Sequence, residues 1–333
     1  MAFQDIPKVE DPETYIDITF HAGERAGSLK RNELKGTDVT RLIRSRIIET
    51  AKIGAVQKTG VDVLLNLVRQ FPSLDRLDPF YLALVKCTLD YDFLKKSLGG
   101  VMWAADRLDK LANDALRKIK ATRDLEHINA HRQAFYGRTA SVFKQIKTNL
   151  KYLEESRKTL KKFPPIKTDI PTVVIAGAPN VGKSSLLSAL TGSTPKIAPY
   201  PFTTQNLMLG YLSCDGKKIQ LIDTPGLLDR PLEHRNPIEK QAVLALKHLA
   251  KAIIFVLDPS EACGYPFQEQ LNLLAEIKRS FPAPVIVVAN KSDLQHGKKL
   301  APDTIMVSAE KKIGIDDVKH KIVTITSQDA HSE

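Results

Sequence analysis

The sequence has few cysteines and no long apolar run, and both absences narrow the class of protein. Its three cysteines, Cys87, Cys214 and Cys263, lie far apart and outside any C-x-x-C pair. They indicate neither a metal site nor a disulfide framework, which favours a reducing compartment. No apolar run reaches the ~20 residues that a membrane-spanning helix needs. Residues 1–5 also lack the basic and apolar regions of a secretion signal. We therefore expect a cytoplasmic protein with no membrane partner.

The charge of the chain is unevenly distributed. The 333 residues are 43% apolar and 26% charged, which is typical of a soluble globular protein with room for two domains. Residues 1–170 carry 31 Lys/Arg against 22 Asp/Glu, whereas residues 171–333 carry 18 against 16. The basic excess of the first half indicates a polyanionic partner. A set of solvated helix faces is the alternative interpretation.

Apolar residues in the first half recur at helical spacing. Val101, Ala104, Leu108 and Leu111 are one such set, and similar sets predict five or six helices packed as a bundle. We expect the last helix to run as one long basic element from 137 to 162 and to end at two prolines.

The period changes at residue 171. Short β-branched runs then alternate with helical stretches, which predicts an α/β domain with a doubly wound, mostly parallel sheet. Asp215-Gly216 lies between the runs at 207–214 and 217–222, so we expect a hairpin and one antiparallel edge pair. The predicted organisation is an irregular segment at 1–26, a basic helical bundle domain at 27–163, a linker at 164–170, the α/β domain at 171–326 and a tail at 327–333.

Residues 177–185, Gly-Ala-Pro-Asn-Val-Gly-Lys-Ser-Ser, match the phosphate-loop pattern G-x-x-x-x-G-K-S directly after a predicted strand. In such a loop, backbone N–H groups and the N-terminus of the next helix hold phosphate groups. Lys183 is expected to reach the β- and γ-phosphates, and the Ser184 hydroxyl to bind Mg²⁺. We expect nucleotide contacts from Asn180, Val181, Gly182, Lys183, Ser184 and Ser185.

A second motif, D-T-P-G at 223–226, follows the predicted strand 217–222. An aspartate at the carboxyl end of a strand lies in the crevice where doubly wound sheets bind ligands. Asp223 is therefore expected to hold Mg²⁺, through water, and the Gly226 N–H to meet the γ-phosphate.

A third motif, N-K-S-D at 290–293, identifies the base. Guanine presents two donors, N1–H and the 2-amino group, to one carboxylate, and adenine has no such pair. We expect the Asn290 amide to join this loop to the phosphate loop and the Lys291 stem to cover the ring. The guanine contacts are assigned to Asn290, Lys291, Asp293 and the backbone amides of Ser308 and Ala309, so the predicted ligands are GTP and GDP.

Hydrolysis is expected to be slow. One of two threonines, Thr203 or Thr204, is predicted to bind Mg²⁺ only when a γ-phosphate is present, and Thr204 is preferred. The β propensity of threonine before a strand explains both residues equally well. Leu227 stands where a Ras-type switch has a water-orienting glutamine nearby, so we predict a rate at or below about 10⁻² s⁻¹. Water positioning would come from a partner, from Mg²⁺-bound backbone, or from His234 or Arg235, which are otherwise ordinary surface residues. The predicted catalytic residues are Lys183, Thr204 and Gly226.

Asn180 is also considered for K⁺. An asparagine at this loop position helps some GTPases bind K⁺, which acts there like an arginine finger. A capping role within the loop is the alternative interpretation, and it is the simpler one.

The four motifs G-A-P-N-V-G-K-S-S, Y-P-F-T-T, D-T-P-G-L-L-D and N-K-S-D together resemble those of the Obg-related GTPases. Residues 223–233 and 235–239, with 71–75 and 79–81 near the start, are similar to the nucleolar GTP-binding (Nog) family. The resemblance covers nearly the whole chain and implies an all-α helical bundle followed by an α/β P-loop GTPase domain. Eukaryotic members continue far beyond this domain, so the chain resembles a short, archaeal-type member.

The resemblance also implies a partner, the large ribosomal subunit precursor with its rRNA and ribosomal proteins, and a monomer away from the ribosome. The expected rRNA contacts, called the basic set below, are Lys110, Arg117, Lys118, Lys120, Arg123, Arg132, Arg138, Lys144, Lys147 and Lys151. A GTP-sensing RNA-binding scaffold with incidental hydrolysis is the alternative. A signal-recognition-type targeting GTPase fits less well, because its T-K-x-D motif does not match Asn290.

Overall fold

The computed structural model describes residues 3–201, 206–214, 216–230, 235, 237–294 and 297–328, which form two compact units. The helical unit holds the described residues of 3–75 and 89–161, and the α/β unit holds those of 76–88 and 162–328. The first half of the chain contains α1 (Pro12–Glu33), α2 (Arg41–Gln70), α3 (Pro79–Thr88), α4 (Tyr91–Ala121), α5 (Leu125–Gln145) and α6 (Lys147–Leu160). All of these helices except α3 belong to the helical unit.

The helical unit has the apolar core that the sequence period predicts. Leu64 of α2, Leu94 and Leu108 of α4 and Phe143 of α5 are fully buried. Burial of one such side chain is worth about 1.5–3 kcal/mol relative to its exposure. The packing of these amphipathic faces therefore stabilises the bundle more than local helix propensity does.

The prediction that residues 1–26 are irregular is wrong beyond Asp11, because α1 begins at Pro12. The Asp11 carboxylate caps this helix by accepting the Thr14 N–H at 2.8 Å. The buried face of α1 consists of Pro12, Tyr15, Thr19, Gly23 and Gly27. Such a face carries little apolar periodicity, so the helix gave no hydrophobic signal in the sequence.

The predicted helix 137–162 is two helices rather than one. α5 ends at Gln145 and α6 begins at Lys147. Ile146 lies between them with φ −90° and ψ 10°, and its side chain is buried. The break therefore places a buried apolar side chain between the two helices.

The α/β unit contains a seven-stranded sheet among the described residues, in the order β2-β3-β4-β1-β5-β6-β7. Its strands are β1 (Thr172–Ala176), β2 (Lys196–Ala198), β3 (Leu207–Cys214), β4 (Lys217–Asp223), β5 (Ala250–Leu257), β6 (Val285–Ala289) and β7 (Ile305–Met306). β1 pairs in parallel with β4 and β5, and β5, β6 and β7 continue in parallel. β3 is antiparallel to β4, as the hairpin signal predicts, and also to β2. The predicted fold class is confirmed.

The second half of the chain adds α7 (Lys183–Thr191), α8 (Pro237–Ala245), α9 (Phe267–Ser280) and α10 (Ile315–Gln328). Leucines of α7 and apolar residues of α10 join the strands in one buried cluster. Helix α3, although it lies within the first half of the sequence, packs against α8. Its Tyr81 hydroxyl lies 2.9 Å from the Pro164 carbonyl oxygen and 2.7 Å from that of Ile166. The α/β unit therefore includes a helix from the predicted bundle region.

The sheet topology places the site. Because β1 lies between β4 and β5, the strand order reverses on the two sides of β1, and ligands bind at the carboxyl end of such a switch point. The loops after β1, β4 and β6 all leave from this edge, and they carry the three motifs. None of the described helices is both long enough and apolar enough to cross a bilayer.

Candidate nucleotide-binding site

The loop between β1 and α7 has the backbone of an anion cradle. Gly177, Asn180 and Gly182 have φ values of 140°, 60° and 95°, so three of its residues have a positive φ that side chains disfavour. A Cβ on Gly177 would collide with the Val256 carbonyl, and one on Gly182 with the Asn290 amide. Glycine is therefore required at both positions, and the loop presents backbone N–H groups at the start of α7.

Lys183 is the buried cation of this loop. It is 8% exposed, and its Nζ donates to the carbonyl oxygens of Gly177 at 3.0 Å and Ala178 at 2.8 Å. Burial lowers the pKa of Lys183, although the nearby charges of Asp223 and Asp229 oppose that shift. Its ammonium group is thus held across the loop in which phosphate groups are expected.

Asp223 and Ser184 offer oxygen ligands that fit Mg²⁺. Asp223 is fully buried, and its Oδ2 accepts the Ser184 hydroxyl at 2.7 Å. Its Oδ1 has no hydrogen-bond partner among the described residues, and burial raises the pKa of Asp223. A buried carboxylate oxygen without a partner, beside a hydroxyl, is the donor set that Mg²⁺ takes at sites completed by phosphate and water. No cluster of three or more His, Cys, Asp or Glu occurs among the described residues, so a cage built only from protein side chains is not indicated there.

The loop after β4 forms one hydrogen bond within itself and one with the phosphate loop. The Gly226 N–H donates to Asp229 Oδ2 at 2.9 Å, and the Gly177 N–H donates to the Leu228 carbonyl at 3.1 Å. The Leu227 side chain is buried rather than directed to solvent. The interpretation of Arg235 as a surface residue is wrong, because it is 9% exposed and donates to the Leu227 carbonyl at 2.7 Å. Thr203, Thr204 and His234 lie outside the described residues, so their roles stay predictions.

Asn290 joins two loops of the site. Its Nδ2 donates to the Val181 carbonyl at 2.9 Å, which is the link to the phosphate loop expected from the sequence. Its Oδ1 accepts the Ala309 N–H at 3.0 Å, and the side chain is 4% exposed. A single buried amide therefore fixes the positions of the phosphate loop and of the Ser308–Ala309 segment.

Asp293 is held as an ionised acceptor. A hydrogen bond from Ser308, followed in importance by backbone and Lys311 contacts, keeps the pKa of Asp293 below its usual value. Lys311 Nζ lies 3.2 Å from Asp293 Oδ2. The carboxylate can therefore accept two hydrogen bonds from a base edge near neutral pH.

Asp258, directly after β5, is a site residue that sequence reasoning missed. It is fully buried and accepts from Lys291 Nζ at 2.6 Å and from the Cys263 N–H at 2.8 Å. Burial opposes ionisation, but the bonds from Lys291 and Ser260 outweigh it and lower the pKa of Asp258. Its signal in the sequence was the one already used for Asp223, an aspartate at the end of a buried strand. Asp258 therefore fixes the lysine whose stem is expected to cover the base.

Asn180, Ser185 and Asp293 are exposed positions of the site, although the side chain of Asp293 itself is only 17% exposed. Asn180 adopts a left-handed backbone conformation in the loop, and Ser185 lies in the first turn of α7. The K⁺ role of Asn180 stays a prediction.

The basic set lies on α4, α5 and α6, except for Arg123, which lies in the segment between α4 and α5. Nine of its ten members are exposed, and the tenth, Arg132, is half-buried 3.7 Å from Glu49. Arg117 and Lys118 pair with Asp114, and Lys110 pairs with Asp106, so part of the charge is neutralised. The members that form no ion pair within the described residues are Lys120, Arg123, Arg138, Lys144, Lys147 and Lys151.

Comparison with known proteins identifies similar sequences over most of the chain. The family model for the NOG1 N-terminal helical domain matches residues 3–167, and that for nucleolar GTP-binding protein 1 matches residues 237–293. An uncharacterized protein of Methanocaldococcus jannaschii is 40% identical over 292 residues, covering 88% of this chain and 81% of that protein.

Nucleolar GTP-binding protein 1 of Drosophila melanogaster is 36% identical over 88% of this chain but over only 44% of its own length. The chain thus spans less than half the length of this curated relative. A crystal structure from Plasmodium falciparum, described as that of a nucleolar GTP-binding protein 1, is 30% identical. It covers 51% of this chain and 93% of that one, with a TM-score of 0.46.

Proposed function

The chain belongs to the nucleolar GTP-binding protein 1 family, and we propose that it is a GTP-binding switch that hydrolyses GTP slowly and acts in large ribosomal subunit assembly. One observation supports the nucleotide assignment most strongly. Asn290 bonds both to Val181 of the phosphate loop and to Ala309, so the phosphate-binding and base-binding motifs form one site.

In this proposal, different residues of the site bind the phosphates, Mg²⁺ and the guanine base of GTP. Backbone N–H groups of the phosphate loop and Lys183 would hold the phosphates. Ser184 and Asp223 would hold Mg²⁺, which when bound neutralises phosphate charge and orients the β- and γ-oxygens. Asp293 would accept the two donors of guanine, and Lys291, fixed by Asp258, would cover the ring.

The proposal of slow hydrolysis rests on Leu227, the residue that follows the D-T-P-G motif. The reaction breaks the bond between the γ-phosphorus and the β–γ bridging oxygen as water adds, and a polar side chain normally orients that water. Leu227 is apolar and its side chain is buried, so it cannot orient a water molecule by hydrogen bonding. An acceleration by an assembly partner is therefore part of the proposal, and single-turnover hydrolysis with and without large-subunit particles tests it.

The proposed RNA contacts are electrostatic. Exposed Lys and Arg side chains of the basic set would bind phosphates and carry no base code. RNA would be recognised by shape, and affinity would fall steeply with salt. Crosslinking followed by sequencing of RNA bound to the protein loaded with a non-hydrolysable GTP analogue tests this directly. Absence of any rRNA enrichment over a protein-free control would refute the assembly role.

A GTP-sensing scaffold with incidental hydrolysis is the second candidate function, and the burial of Leu227 favours it. In that case large-subunit particles would bind in a nucleotide-dependent manner without changing the hydrolysis rate. A rate that rises with particles assigns the switch, and an unchanged rate assigns the scaffold.

A further inference from the structure

In the loop after β4, the side chain of Asp229 already accepts the backbone N–H that is expected to bind a γ-phosphate oxygen. The Gly226 N–H donates to Asp229 Oδ2 at 2.9 Å, with Gly226 at φ 75°. The same N–H is the donor that the D-T-P-G motif offers to a γ-phosphate. Because one N–H makes one strong hydrogen bond, this arrangement and a γ-phosphate on Gly226 exclude each other.

Arg235 also stabilises this arrangement of the loop, through contacts with Leu227 and Asp229. Its guanidinium donates to the Leu227 carbonyl at 2.7 Å and lies 3.5 Å from Asp229 Oδ1. The side chains of Arg235 and Asp229 are 2% and 15% exposed. The charge pair of Arg235 and Asp229 is therefore largely shielded from water and only weakly screened.

The pair of Asp229 and Arg235 leaves part of its hydrogen-bonding capacity unused. Among the described residues, Asp229 Oδ1 and Arg235 Nε are buried polar atoms without a hydrogen-bond partner. A buried polar atom in that condition is costly, so a rearrangement that gives these atoms partners is favourable. The pair is thus suited to being opened rather than to being a permanent structural tie.

The charge of Asp229 also reaches the phosphate-binding residues. It opposes the burial-driven lowering of the pKa of Lys183, and it adds to the raised pKa of Asp223. An anionic side chain close to both residues takes part in the electrostatic environment of a bound phosphate. Asp229 therefore matches a γ-phosphate in hydrogen-bond acceptor and in sign of charge.

We propose that Asp229 competes internally with the γ-phosphate, and that Asp229 with Arg235, here named the switch latch, sets the preference between GDP and GTP. GDP leaves Gly226 bonded to Asp229, whereas GTP must displace that carboxylate and free Arg235 from the Leu227 carbonyl. The latch lowers GTP affinity relative to GDP affinity and couples the third phosphate to a change in the loop. This inference rests on the proposed GTP-binding function.

Equilibrium binding of fluorescent GDP and of a fluorescent, non-hydrolysable GTP analogue tests the latch in the full chain. Asp229→Ala is expected to raise the ratio of GTP-analogue to GDP affinity by about tenfold or more, the value of one charge-assisted hydrogen bond. Asp229→Asn keeps an acceptor of the same size and should give a smaller rise. The control is Asp106→Asn, the same chemical change at an exposed ion pair on α4, which should leave the ratio within about twofold.

A ratio that stays within twofold in folded Asp229→Ala and Asp229→Asn proteins, or that falls, overturns the latch. Equal gains for both nucleotides also overturn it, because they indicate only general repulsion of phosphate. Failure of the unmodified protein to bind either nucleotide instead refutes the proposed function. Arg235→Ala should shift the ratio in the same direction, and combination with Asp229→Ala should add little, because the two residues act as one unit.

Discussion

The bond between Asp258 and Lys291 gives the sharpest test of how the base site is built. Asp258→Asn keeps the shape of the side chain and removes its charge, so the Lys291 ammonium loses its partner at 2.6 Å. A hydrogen bond to a charged group is worth about 1.5–3 kcal/mol, and the 24% exposure of Lys291 reduces this value to about 1–2 kcal/mol. We therefore expect guanine-nucleotide affinity to fall about 5–30-fold.

The assay is a double-mutant cycle on GDP affinity with Asp258→Asn, Lys291→Ala and the double variant. If Asp258 acts by holding Lys291, the double variant should be no weaker than Lys291→Ala alone, within about 0.5 kcal/mol. Chemical unfolding of each variant controls for the loop that Asp258 also ties through the Cys263 N–H. Strictly additive losses would show that Asp258 does not act through Lys291 and would refute the reasoning.

Three further predictions concern base choice, acid stability and RNA binding. Asp293→Asn should lower GTP affinity at least ~100-fold and raise XTP affinity, because the amide donates a hydrogen bond where the carboxylate accepted one. Competition binding measures both affinities, and an unchanged base preference contradicts the assignment of Asp293. Hydrogen bonds from Arg157 and the Val9 N–H lower the pKa of Glu154, so its stabilisation is present above the ordinary Glu pKa of ~4.3 and is lost as pH falls below it. Urea unfolding from pH 7 to pH 3 should therefore show a smaller acid loss in Glu154→Gln. Replacing Lys147 and Lys151 with Gln should weaken rRNA binding uniformly across sequences and reduce the slope of log K against log salt by up to about 2; an unchanged slope places the RNA elsewhere.

Much of the nucleotide site was predictable because its motifs are local. The positive φ values of Gly177 and Gly182 and the hydrogen bond from Asn290 to Val181 are what the loop patterns require. The burial of Asp223 at the end of β4 follows from its place after an apolar strand. The φ values depend on a few neighbouring residues. The Asn290 bond spans 109 residues and was predictable only because one topological rule brings the loops after parallel strands to the same edge.

Other features escaped prediction because their cause lies far away in the chain. Helix α1 buries a face with two glycines, so its position depends on the helix packed against it rather than on its own apolar period. Arg235 looked like a surface residue, yet its burial depends on the path of the loop that carries Leu227 and Asp229. Asp258 acquired a role only when Lys291, 33 residues later, was placed beside it.

The sequence by itself determined the family, the fold class and the motifs for phosphate, metal and guanine, because each is encoded by short patterns with fixed backbone requirements. Only the tertiary structure decided that α3 packs on α8, that Asp258 fixes Lys291, and that Arg235 is buried beside Asp229 and the Leu227 carbonyl. No sequence pattern predicts those contacts, whether the partners are far apart in the chain, as Asp258 and Lys291 are, or within one loop, as Asp229 and Arg235 are. Burial and hydrogen-bond geometry, which depend on the whole fold, select them from many chemically equivalent pairs.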